Sequence, residues 1–297
     1  LIRKMKILRI EGEDVHKPGQ PRIPEMGGLA VMMAGALGTI FILMLDSRPI
    51  DPMLLAAFVA VFGAGFVGVL DDLFDLRKSV KAVLPVMFAL PFAALIGRDY
   101  LLVPGVDRLM LGALALPVIA IGVSCGANAA NMLEGFNGLG AGLSLITSGA
   151  LVAIAFLSGN LAALYILLPL MAATAVFLWF NRFPARIFPG DTFTLFAGAG
   201  IATAAFLSGI EFWGALLMAP YALEFLLKAR GTFKGQCFGE LTPKGLLTHN
   251  GRIESITHLV MRARPLRERR LVGLVWSVQA AFCGAVLVYA LAAFSGA

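Results

Sequence analysis

Long uncharged runs, each closed by a cluster of polar residues, set the pattern of this chain. Met26–Leu45, Pro52–Leu70, Ala82–Gly97, Leu109–Leu133, Thr192–Ile210 and Leu271–Ala297 contain no Asp, Glu, Lys or Arg. A helix needs about 20 apolar residues to cross the hydrocarbon core, so each run predicts one transmembrane helix. Gly135–Asn181 is uncharged over 47 residues, too long for one crossing, and Ser158-Gly159-Asn160 divides it into two. Phe212–Leu227 adds a last span, interrupted by Glu224. The pattern predicts an all-α polytopic membrane protein with nine spans and no soluble module. Residues 1–297 then form a single transmembrane domain, with 228–270 as one long basic loop inside it.

Composition excludes the competing classes. The chain is 59% hydrophobic and 14% charged, with a mean hydropathy of +0.86, whereas a soluble domain carries about 25% charge. Cys125, Cys237 and Cys283 are too scattered for a disulfide framework or a thiolate metal site, and packing is the expected role of Cys125. The net charge of +6 is expected to report topology rather than nucleic acid. Alternating the loops groups 1–25, 71–81, 125–138, 180–191 and 228–270 on one side. That set holds 21 Lys and Arg, and the other only Arg48, Arg98 and Arg108. By the positive-inside rule the first set faces the cytoplasm. The basic start LIRKMKILRI has no apolar core after it and is no signal peptide. With nine spans the two ends fall on opposite sides, so a tenth, N-terminal span is expected to be missing from this chain.

The chemistry sits on that same side. The inner loops read DVHKPGQPRIPEMGG (Asp14–Gly28), DDLFDLRKSVK (Asp71–Lys81), NAANMLEGFNGLGAG (Asn128–Gly142) and FPGDTF (Phe188–Phe193), whereas the outer loops are short and plain. A transporter would place ionisable groups near the midplane, and only Glu224 comes near it. No internal repeat is visible either. Polar groups gathered at helix ends suit a membrane enzyme that joins a water-soluble substrate to a lipid. Asp71, Asp72, Asp75, Glu134 and Asp191 offer hard oxygen ligands, with Asn128, Asn131 and Asn137 as neutral partners. His249 and His258 are nine apart, which is no helical ligand spacing, so zinc is not expected. Such donors favour magnesium, with manganese as a substitute, completed by substrate phosphates. Each string alone has a plainer reading. A DDxxD often caps a helix, Gly-rich runs often serve close packing, and Glu224 with Lys228 reads as a surface i,i+4 pair. The plain readings do not explain why all of them share one side.

In this order, DDLFDLR, NAANMLEGFNGL and FPGDTFTLFAG resemble the polyprenyl-phosphate N-acetylhexosamine-1-phosphate transferase family, from about Asp14 to the last span. Family members have ten spans and transfer a sugar 1-phosphate from a UDP-sugar to a polyprenyl phosphate, releasing UMP. The phrases GFNGLGAG and DVHKPGQPRIPE are most similar to the archaeal and eukaryotic branch, which makes N-acetylglucosaminyl-diphosphodolichol. The bacterial pattern typically has Asp where this chain has Glu134 and Asn137, and a histidine cluster where LTHNGR has only His249. The resemblance implies that Asn131 and Asp191 hold the magnesium and that Asp71 and Asp72 lie beside the lipid phosphate as catalytic residues. It further implies that Lys81, Lys228 and Arg230 contact phosphate. Phe188 would stack on uracil, with Asn137 and Asn128 toward the nucleotide and Glu25 and Glu134 toward the sugar or behind these groups. The implied partners are a UDP-sugar, a polyprenyl phosphate and the membrane, with no nucleic acid and with a homodimer as a further expectation. The implied location is the archaeal or bacterial cell membrane with a cytoplasm-facing site, or the endoplasmic reticulum membrane in a eukaryote. The runner-up is the same chemistry on UDP-MurNAc-pentapeptide and undecaprenyl phosphate, and a cation-coupled transporter ranks below it.

Overall fold

The structure is a computed structural model that describes residues 1–46, 49–233 and 235–295. Arg48 and the last two residues of the final predicted span lie outside the described residues. The helices are α1 (Ile2–Leu8), α2 (Gly27–Leu45), α3 (Pro52–Phe74), α4 (Lys78–Ile96), α5 (Ala115–Met132), α6 (Leu139–Ser158), α7 (Leu164–Asn181), α8 (Gly190–Leu207), α9 (Glu211–Leu217), α10 (Ala219–Arg230), α11 (Ile256–Ala263) and α12 (Glu268–Ser295). Strand is confined to three two-stranded antiparallel hairpins, β1–β2 (Glu11–Glu13, Arg22–Pro24), β3–β4 (Tyr100–Val103, Asp107–Met110) and β5–β6 (Glu240–Leu241, Leu247–Thr248). Among the described residues eight helices are long and apolar enough to cross a membrane, or nine if α9 and α10 form one broken span. The chain is an all-α polytopic integral membrane protein.

Two predicted spans differ in detail. The run from Phe212 to Leu227 is two helices bent by 58°. Pro220 opens α10, where its missing N–H costs nothing, but it could not continue α9 as an interior residue. The first part of Leu109–Leu133 is not helical: Asp107–Met110 pairs with Tyr100–Val103, and Gly112 at φ +57° turns the chain before α5. The end of the bundle opposite the four polar strings is also less plain than its sequence. Arg98 Nη1 lies 3.6 Å from the buried Glu211 carboxylate, which in turn accepts from the amide of Leu102 at 2.8 Å.

Helix α8 is the axis of the bundle. Its sequence TFTLFAGAGIATAAFL is apolar or small on every face, and from Thr192 to Leu207 it is buried throughout. A helix apolar all round belongs inside. Small residues let its neighbours come close: a Cβ at Gly198 would fall 2.3 Å from the carbonyl oxygen of Gly126 on α5. Helices α3 and α5 flank α8, α2 and α7 pack beside each other, and α12 lies on α6. This up-and-down order brings the C-termini of α3, α5, α7 and α10 to the same end as the N-termini of α4, α6, α8 and α12. All four polar strings therefore meet at one end of the bundle.

Candidate active site

The N-terminus of α8 is the keystone of the site. Its free amides need acceptors, and the acceptor is Asp72, from the last turns of α3. The Asp72 carboxylate receives the Asp191 amide at 2.6 Å, the Thr192 amide at 3.1 Å and the Thr192 hydroxyl at 2.6 Å. Helix α3 can approach this closely because residue 68 is glycine, where a Cβ would sit 2.5 Å from the Asp191 carbonyl oxygen. Gly190, at φ +68°, makes the turn that delivers Asp191. The preceding FPG segment is fixed by backbone bonds: Phe188 N to Pro24 O at 2.7 Å, Gly27 N to Phe188 O at 2.8 Å and Gly28 N to Pro189 O at 2.8 Å.

Around Asp191 the charges alternate. Lys81 bridges the Asp71 carboxylate, at 2.7 Å, and that of Asp191. Asp71 uses its other oxygen to accept from the amide of Leu76 at 2.8 Å. Asn131 donates to Asp191 Oδ1 at 2.6 Å and to the Thr194 hydroxyl at 2.8 Å. Asp71, Lys81, Asn131 and Asp191, spread over 120 residues of sequence, thus form one cluster at the end of α8.

That cluster opens on a cavity of about 290 Å³, near the lower edge of ordinary ligand pockets. Asp191, Asn131, Glu134, Glu25, Phe188 and Asn137 all line it. Asn137 is buried, with its side-chain amide 3.1 Å from Asp14 and its backbone amide 2.8 Å from the Glu268 carboxylate. Burial, reinforced by the nearby Asp72 charge, raises the Glu25 carboxyl above its usual range. Burial pushes Glu134 up to about 8, against the pull of the Gly140 and Gly135 amides.

Sequence reasoning missed an aromatic corner of this cavity. His16 stacks on Phe136 with centroids 4.3 Å apart and meets Phe238 edge-on at 5.1 Å. Burial lowers the His16 imidazole to about 4, so it is neutral, and its buried Nε2 has no hydrogen-bond partner among the described residues. DVHKPGQPRIPE signalled this residue only as a phrase; what carries it to the cavity is β1–β2, which folds residues 11–24 back over the loops.

Other candidates go elsewhere. Asn128 donates to Ser124, one turn back on its own helix, at 2.9 Å and does not line the cavity. Lys228 points to the carbonyl of Met132 and lies 3.5 Å from Glu224. This pair is not at the surface as expected: Glu224 is fully buried and also accepts from Ser255 Oγ at 3.0 Å and the Ile256 amide at 2.8 Å. A buried carboxylate holding the start of α11 ties the long loop down, which explains why α10 tolerates a charge in an apolar run. Arg230 is exposed outside the cavity, its carbonyl taken by Arg252 at 2.8 Å. His249 and His258 stack at 3.6 Å, but their ring nitrogens face backbone groups. Cys125, expected to pack, is exposed on α5.

The donors fit a hard divalent cation bound by few protein ligands. Lys81 already sets one cationic group between the carboxylates of Asp71 and Asp191, with the Asn131 amide alongside. Among the described residues no three His, Cys, Asp or Glu side chains converge as a complete cage. Magnesium characteristically takes one or two carboxylates and completes its shell with phosphate oxygens and water.

Comparison with known proteins identifies the family. Residues 54–209 match the family model described as glycosyl transferase family 4. The chain is 33% identical to a Saccharolobus solfataricus protein provisionally named UDP-N-acetylglucosamine–dolichyl-phosphate N-acetylglucosaminephosphotransferase, over 95% of this chain and 88% of that one. It is 30% identical to the Schizosaccharomyces pombe protein of that name, over 73% and 54%. A phospho-N-acetylmuramoyl-pentapeptide-transferase of Clostridium beijerinckii is 31% identical over 76% and 73%. With the matched stretch running from α3 through α8 and the S. solfataricus likeness extending over nearly the whole chain, the protein belongs to glycosyl transferase family 4.

Proposed function

We propose that this chain transfers N-acetylglucosamine 1-phosphate from UDP-N-acetylglucosamine to a dolichyl-type polyprenyl phosphate, forming a lipid-linked diphosphate sugar and UMP. One observation carries the reading: a single cavity joins the Asp191 carboxylate and its Asn131 neighbour to an aromatic ring and a buried amide, Phe188 and Asn137. The first pair suits a metal-bound diphosphate, and the second suits a nucleobase. The names of the S. solfataricus and S. pombe relatives support the sugar and the lipid.

In the proposed reaction an oxygen of the lipid phosphate attacks the β-phosphorus of the UDP-sugar. The bond to the bridging oxygen breaks, and UMP leaves with that oxygen and the electron pair. The lipid nucleophile needs little help, because a phosphate monoester has its second pKa near ~6 and is largely dianionic at neutral pH. The carboxylates support the same view. Asp71 has one oxygen on the Leu76 amide and the other on Lys81, while Asp72 caps α8 with three bonds. Both act here by positioning rather than as free bases. Lys81, paired with Asp71 and Asp191, would turn from these carboxylates toward incoming phosphate oxygens. Magnesium, when held by Asp191 and Asn131, would neutralise diphosphate charge as a Lewis acid.

The direct test incubates purified protein with magnesium, dolichyl or undecaprenyl phosphate and a panel of UDP-sugars, and follows UMP. Release is expected with UDP-N-acetylglucosamine and dolichyl phosphate, and EDTA should abolish it. Release only with UDP-MurNAc-pentapeptide would overturn the assignment of the sugar. Phe188→Ala should weaken UDP-sugar binding by roughly 1–3 kcal/mol, the range for base–aromatic stacking, as read by calorimetry in detergent. Unchanged affinity would leave Phe188 a packing residue.

The site is read as cytoplasmic from the 21-to-3 division of Lys and Arg. The native Cys237 cannot report this, since it is buried, donates to the Glu134 carbonyl at 2.9 Å and has its thiol pushed up to about 12 by burial. Exposed positions at the two ends can. With an impermeant maleimide on intact cells, Val106→Cys should label from outside and Lys244→Cys should not. The reverse result would invert the topology.

A further inference from the structure

A second cleft opens at the site end of the bundle, between the C-terminus of α7 and the N-terminus of α12, with a volume of about 770 Å³. Arg182, Arg186 and Arg269 line it together with Trp179 and Trp276. Among the described residues none of these arginines lies within ion-pair distance of a carboxylate. Glu268, the adjacent acid, is turned inward to the amide of Asn137. Three guanidinium groups in one cleft repel each other, and among the described residues no carboxylate forms an ion pair with any of them.

The walls are preformed. Trp276 donates to the Leu139 carbonyl at 3.1 Å, and its indole presses on Gly142 so closely that a Cβ there would fall 2.1 Å from the ring. The Arg182 guanidinium lies 3.7 Å from the centre of the Trp179 ring, and Arg186 lies 4.6 Å from that of Phe180. Stacking holds each planar group; Arg186 also donates from Nη2 to the Trp179 carbonyl at 3.3 Å, and the remaining edge N–H groups of both face the cleft as donors for an anion. The setting matches a headgroup level: tryptophans favour the membrane interface. Deeper along the same two helices, Val176 and Val278 are exposed and apolar.

We propose that this cleft binds the phosphate of an anionic membrane phospholipid, with the arginines on the headgroup and the apolar faces of α7 and α12 against its acyl chains. Asn137 lies in both the cleft and the catalytic cavity, so the lipid would sit against the back wall of the nucleotide site. The binding itself does not depend on the proposed reaction.

Delipidated protein in detergent, titrated with phosphatidylglycerol or phosphatidylcholine and read by native mass spectrometry, tests this without any turnover. Wild type should retain phosphatidylglycerol in preference. The triple variant Arg182→Ala, Arg186→Ala, Arg269→Ala should lose roughly tenfold or more of that affinity, the scale of one charge-assisted hydrogen bond. Replacing the same three with lysine should restore part of it. A control triple, Arg262→Ala, Arg264→Ala, Arg267→Ala, removes equal charge from exposed sites outside the cleft and should change nothing. Absence of the phosphatidylglycerol preference in wild type, its persistence in the cleft variant, or an equal loss in the control would overturn the site. Displacement of the lipid by millimolar glycerol phosphate or UDP would assign the cleft to soluble phosphates instead, and would also overturn it.

Discussion

Asp191→Asn should abolish most of the transfer activity while leaving the protein folded. The side chain makes no cap of its own, because the amides at the start of α8 are satisfied by Asp72. Asn is nearly isosteric and can still meet Asn131, but it gives up the charge that Lys81 and a hard divalent cation both need. Losing such a preorganised charge typically costs about 10²–10³ in turnover. The measurement is UMP release across a magnesium series, beside a melting curve in detergent without ligand. The expected result is a collapsed rate, loss of the magnesium-dependent part of UDP-sugar binding, and a melting midpoint within a degree or two of wild type. Asn131→Ala should weaken magnesium dependence more mildly. Near-normal turnover of Asp191→Asn at low magnesium would remove Asp191 from the proposed metal site.

Asp72→Ala should fail in the opposite way, losing stability and activity together. Three donors on α8 would be left facing a half-buried gap. A lost cap and a broken charge-assisted bond to buried groups together cost about 1–3 kcal/mol. The melting midpoint should fall by several degrees, and the rate with it, since the same amides set the position of Asp191. Asp72→Asn keeps one good acceptor and should recover much of the stability. An Asp72→Ala variant with wild-type melting but no activity would show that the carboxylate acts on substrate directly, not through α8.

These two carboxylates mark the division between sequence and structure. Both stood out in the sequence as acids beside apolar spans on the basic side of the chain. Their opposite duties did not, because which of them faces a helix N-terminus depends on how α3 lies against α8, and that approach is set by Gly68. The spans themselves were legible because the bilayer imposes a length and an apolar composition on each one. Where the rule is local, as with Pro220 or Gly112, the sequence contained the signal but not the outcome: a bend of 58° in one span, and a hairpin in place of the start of another.

Sequence alone determined that this is a polytopic helical membrane protein, that its chemistry gathers at one end, and which three strings carry the family resemblance. Those properties follow from composition and from short-range order along the chain. Only the tertiary structure decided that Lys81 bridges Asp71 and Asp191, that His16 joins Phe136 in the cavity wall, that Asn128 and Lys228 turn away, and that Glu224 is an internal tie for the long loop. The physical reason is that a side chain's partner across 100 residues is selected by helix packing and by the need to satisfy every buried polar group. Neither is a property of any local stretch of sequence.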